Sequence, residues 1–129
     1  MNIFDGEKNL IAIYIKNNIP NNKNFLTDKN KPFQVGTFNL PKGDIIERHY
    51  HNPTFRNIEY TSEALFVTKG LLRVELYDKN QTFLQEVLVY EKEVLVLFTG
   101  GHFIEIQEDS KFIEIKQGPY SELEDKEHF

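Results

Sequence analysis

The chain has 129 residues, 40% of them hydrophobic and 13% aromatic, with a formal net charge of −5 at pH 7. That length suits one domain with one core. The acidic balance excludes the basic face that a nucleic-acid binder needs to displace counterions, no apolar run is long enough to span a bilayer, and the absence of Cys excludes disulfides, thiolate metal sites and a Cys nucleophile.

Met1–Lys8 carries Asp5, Glu7 and Lys8 and lacks a basic-then-apolar leader pattern, so a cytoplasmic protein is expected. Short β-type runs then recur at the spacing of an all-β sandwich or barrel. In chain order the predicted strands are Leu10–Ile15, Phe33–Leu40, Ile45–His51, Glu63–Thr68, Leu71–Asp78, Phe83–Glu91, Glu93–Phe98, His102–Glu108 and Lys111–Lys116. Between them lie turn residues, notably Pro41-Lys42-Gly43, Lys69-Gly70, Asp78-Lys79-Asn80, Gly100-Gly101 and Glu108-Asp109-Ser110. Alternation places Leu72, Val74 and Leu76 on one face and Arg73, Glu75 and Tyr77 on the other. In the last predicted strand, Ile113 and Ile115 oppose Phe112, Glu114 and Lys116. The tail Ser121–Phe129 is acidic and short, and reads as one helical turn or an extended arm.

The four His residues are the most informative feature. His49 and His51 flank one residue in a strand-like run, so both project from one face, roughly 6–7 Å apart at the backbone. Such a pair can share one metal ion, although an isolated His-x-His is also common as a solvated or hydrogen-bonded pair. His102 follows Gly100-Gly101 at a strand start, and His128 reads as a surface residue.

Two sub-patterns in order resemble the first motif of the cupin superfamily. Gly43 is followed by five residues and His49-Tyr50-His51; Glu63 is followed by six residues and Gly70. The second motif is matched more loosely: Glu93, the apolar Val94–Phe98 and Gly101-His102 are present, while Lys92 and Phe98 stand where the family has Gly and Pro, and Ile106 replaces its closing Asn. The resemblance covers residues 36–117. It implies a double-stranded β-helix barrel over that span, with N-terminal strands or an arm over 1–35 and a tail over 118–129. It also implies a single divalent metal (Zn, Fe, Mn or Ni) held by His49, His51, Glu63 and His102. Eleven residues separate His51 from Glu63 where the family has three or four, and this insertion contains Glu59 as an alternative carboxylate. The stretch from Gly101-His102 to Gly118-Pro119-Tyr120 is similar to small bacterial cupins associated with surface-polysaccharide sugar pathways.

The inserted loop supplies further candidates. Tyr60 and Glu59 are candidate acid–base groups, and Arg56 a candidate clamp for a carboxylate or phosphate; the alternative is that Arg56 and Glu59 form a surface pair of little energetic weight. Arg73 is a second candidate for substrate binding, against the tendency of charged strand residues to mark the solvent face. Three functions compete. The first is a metal-dependent enzyme on a sugar or sugar-nucleotide, of isomerase, epimerase or oxygenase type. The second is a metal-free ketoisomerase-like cupin using His as acid and base, and the third a non-catalytic small-ligand binder. A homodimer is expected, in which N-terminal strands such as Leu10–Ile15 find the partner an isolated edge needs.

Overall fold

The computed structural model describes residues 1–119, 121 and 126–129; residues 122–125 of the segment expected as a turn or arm lie outside the described residues. Among the described residues there are ten strands and no helix, and every paired strand is antiparallel. The chain forms two compact units, Met1–Asn17 together with Tyr60–Phe129, and Asn18–Glu59.

The first unit contains β1 (Asn2–Phe4), β2 (Leu10–Ile15), β5 (Glu63–Lys69), β6 (Leu71–Tyr77), β7 (Phe83–Tyr90), β8 (Val94–Leu97), β9 (Gly101–Ile106) and β10 (Lys111–Lys116). The second holds the hairpin of β3 (Asn22–Phe25) and β4 (Gly36–Asn39). In the first unit a five-stranded sheet runs β1-β2-β8-β5-β10 and a three-stranded sheet runs β7-β6-β9.

The two sheets share one core because period-two alternation gives each strand an apolar inner face. Ala12, Tyr14, Leu65, Val67, Leu95 and Leu97 of the larger sheet join Leu72, Val74, Leu76, Val87 and Val89 of the smaller one. Each fully buried Val or Leu contributes about 1.5–3 kcal/mol relative to exposure. Leu72, Val74 and Leu76 are 0% exposed, as the alternation requires. Leu10–Ile15, expected to need a partner copy, is paired within its own unit by β1 and β8.

Turn chemistry fixes the register. Gly70, between β5 and β6, has φ +86°, and an added Cβ would lie 2.4 Å from Ser110 Oγ and 2.8 Å from the Asp109 carbonyl oxygen. The Ser110 hydroxyl accepts a hydrogen bond from Leu71 N at 3.1 Å, so the turn before β10 locks against the turn after β5. At the second motif, Lys92 adopts φ +67° where the resembling family carries Gly.

Two differences from the sequence expectation have physical causes. Ile45–His51 is not a strand: its adjacent Ile45 and Ile46 are 76% and 54% exposed, and a strand requires a hydrogen-bonded neighbour. Phe33–Leu40 contracts to β4, because pairing with β3 begins only at Gly36. Ile113 and Ile115 face outward at the sheet edge, 51% and 60% exposed, while Phe112, Glu114 and Lys116 share the inner face with Val67, Leu65 and Glu63.

Candidate metal centre

The expected ligands fall into two pairs, one in each unit. In the first unit Glu63 opens β5, on the inner face it shares with Leu65 and Val67. Its residue is only 9% exposed. The start of β5 is pinned by Gln117 N donating to Ser62 O at 2.9 Å and by the buried Ser62 hydroxyl, 3.4 Å from Phe98 O. His102 is the second residue of β9, opposite Leu76 of β6, and so projects from the inner face of the smaller sheet. His102 Nε2 lies 3.0 Å from Glu63 Oε1. The contact therefore joins the two sheets.

That spacing has a further meaning. Two donors held about 2.1 Å from one ion and at right angles to it stand about 3.0 Å apart. The Glu63 and His102 donors thus fit adjacent positions on one ion as well as a direct hydrogen bond.

In the second unit the rings of His49 and His51 meet edge to face, with centroids 5.2 Å apart and planes at 85°. The two rings are adjacent although Ile45–His51 is not a strand. His49 Nδ1 lies 2.8 Å from Glu47 O; donation there leaves Nε2 with the free lone pair, the arrangement by which a backbone carbonyl orients a ligating imidazole. The chemistry of both pairs fits a divalent transition metal, which accepts imidazole and carboxylate together. Within either unit, among the described residues, no group of three or more His, Asp or Glu side chains is placed to hold a metal ion.

The remaining candidates are placed as follows. Arg56 donates to Thr54 O at 3.3 Å, and the surface ion pair considered for it with Glu59 does not form. Glu59 is exposed, and Tyr60 is 56% exposed at the start of the segment that leads into β5. Arg73 lies on the outer face of the smaller sheet. Its guanidinium contacts Glu75, Glu86 at 2.7 Å and Glu105 at 3.0 Å. Those contacts, Glu86 foremost, hold it charged well above the ordinary range. Glu75 is held below the usual carboxylate range, chiefly by the Tyr77 hydroxyl that donates to it and then by Arg73.

Two residues have roles that the sequence does not reveal. Lys116 is the cross-strand neighbour of Glu63 on β10, a position that only the register reveals. Glu93, the acidic residue of the second motif, caps the β7–β8 turn: it accepts from Tyr90 N at 2.9 Å and from the Tyr14 hydroxyl.

Comparison with family models, with curated proteins and with solved structures found no match. Among the described residues no helix is long and apolar enough to cross a membrane.

Proposed function

We propose that this chain is a metal-binding cupin of the double-stranded β-helix type that binds one divalent transition metal through ligands drawn, as the sequence motif implies, from His49, His51, Glu63 and His102, and acts on a small polar substrate of the sugar or sugar-nucleotide class. The observation that carries the reading is the 3.0 Å approach of His102 Nε2 to Glu63 Oε1 between the inner faces of two sheets. A carboxylate on a side chain only 12% exposed is costly to bury unless it meets a donor or a cation. The carbonyl-oriented His49 adds an imidazole already set for ligation. A metal in such a set supplies Lewis-acid polarisation of a substrate oxygen; the chain supplies proton-moving groups, with Tyr60 and Glu59, shortly before Glu63 in the chain, as the candidates. Isomerisation or epimerisation is the reaction class that such groups serve.

Elemental analysis of natively purified protein tests this reading. It predicts about one transition metal per chain, with metal and turnover of sugar-nucleotides both lost in His49→Ala. Turnover that persists after complete metal removal contradicts it.

A second reading is favoured by the same contact. Hydrogen-bonded directly, Glu63 and His102 form an acid–base dyad that needs no ion, the carboxylate orienting the imidazole for proton transfer. Undiminished turnover in chelator, together with loss of turnover in His102→Gln, selects this reading over the first.

A further inference from the structure

β9 carries His102, yet it is poorly secured at that end. It is an edge strand, bonded among the described residues only to β6, and it begins at Gly101, directly after Gly100 at φ +82°. Glycine in a strand has no side chain to pack and loosens the element. One feature compensates for this. The ring of Phe129 packs edge to face on Tyr77, with centroids 5.2 Å apart and planes at 86°. Tyr77 is the cross-strand partner of Gly101, and its other side meets Phe83 at 5.8 Å. Phe129 lies directly over Gly101, where an added Cβ would come within 2.7 Å and 2.8 Å of two ring carbons. Aromatic cover of an edge glycine is a recognised means of stiffening a strand, and the edge-to-face geometry is the favourable one.

We propose that Phe129 is a positioning residue: seated on Tyr77 over the bare backbone of Gly101, it braces the start of β9 from the outer face and so holds His102 against Glu63 on the inner face. The inference rests on the reading of His102 as a functional residue, but its structural half stands apart from any metal. Gly101 then has a specific role, since its missing side chain is the floor of the ring's seat.

The test uses the full chain by NMR, first without metal. The Gly101 Hα resonances should be shifted upfield by the Phe129 ring. Phe129→Ala should abolish that shift and speed amide exchange at His102 and Phe103 by about two- to tenfold, the scale of one aromatic pair. Phe129→Tyr should preserve both, and Gly101→Ala should reproduce Phe129→Ala by expelling the ring. With Co²⁺ as probe, Phe129→Ala should then weaken binding by about tenfold, the usual scale for a residue that supports a ligand, and Phe129→Tyr should restore it. Unchanged Gly101 shifts and exchange rates in Phe129→Ala overturn the brace. Altered exchange with unchanged Co²⁺ affinity overturns its positioning role. If the wild-type chain binds no Co²⁺, the metal reading fails, while the exchange data still decide the brace.

Discussion

Gly70→Ala probes the β5–β6 turn on which the placement of Glu63 depends. The native φ of +86° is costly for any residue with a Cβ, about 1–2 kcal/mol on the scale of left-handed backbone strain. The new methyl would also stand 2.4 Å from Ser110 Oγ, 2.8 Å from the Asp109 carbonyl oxygen and 2.9 Å from Ser110 Cα. Because two of these atoms are backbone, rotating one side chain cannot relieve the clash. If Ser110 swings aside, Leu71 N loses the acceptor it has at 3.1 Å, a further loss of about 1 kcal/mol. The sum is about 2–3 kcal/mol, a large share of the roughly 5–15 kcal/mol expected for a domain. Urea unfolding followed by tyrosine fluorescence and far-UV circular dichroism would measure it. Ser110→Ala removes the nearest obstacle, so the double variant should cost clearly less than the sum of the two singles. Strict additivity, or a cost for Gly70→Ala below about 1 kcal/mol, would refute the packing argument.

Other perturbations separate the site from its scaffold. Arg73→Met should leave Co²⁺ affinity unchanged, because the guanidinium is held by three carboxylates on the outer face; a substantial loss of affinity by calorimetry would place Arg73 in the site after all. Glu63→Gln keeps the shape of the side chain but removes its charge, and should weaken Co²⁺ binding by at least tenfold while far-UV circular dichroism stays native. Tyr14→Phe tests the cap on the β7–β8 turn through pH. Burial, and then the hydrogen bond to Glu93, raise the Tyr14 hydroxyl well above its ordinary value of 10.0. A raised acid contributes stability that is full below the ordinary value and is lost as pH climbs toward the folded one. Wild-type stability should therefore fall from about pH 10 upward more steeply than that of Tyr14→Phe; parallel profiles would contradict the cap.

Much of the scaffold is legible in the sequence because its strands follow local rules. Leu10–Ile15 and Lys111–Lys116 are bounded by turn residues and carry β-branched side chains, and both form over the expected spans. Leu72, Val74 and Leu76 bury the face that their alternation names. What the sequence conceals is pairing. Nothing local distinguishes Ile45–His51 from a true strand, since its residue types suit one and only the absence of a bonded neighbour decides otherwise. β1 and β3 were missed because three or four residues are too few to show a period. The outward turn of Ile113 and Ile115 likewise follows from register with β5, a long-range fact.

The site is legible to a similar extent. The spacing from Glu63 to Gly70 correctly sets the carboxylate at the head of a strand that ends in a tight turn. The pairing of Glu63 with His102 lies in no local pattern, because the thirty-eight intervening residues cross to the smaller sheet, return to the larger one and cross again. Glu93 was legible as a motif residue but not as a turn cap, for its partner Tyr14 comes from the far end of the chain.

The most direct test of the account is metal analysis by plasma mass spectrometry of the chain purified without chelator or affinity metal, alongside His49→Ala, His51→Ala and His102→Ala. The account predicts about one transition-metal ion per wild-type chain and a deep loss in each variant. A wild-type chain that stays metal-free even after dialysis against Zn²⁺, Fe²⁺, Mn²⁺ and Ni²⁺, or a variant that retains the full complement, would contradict it.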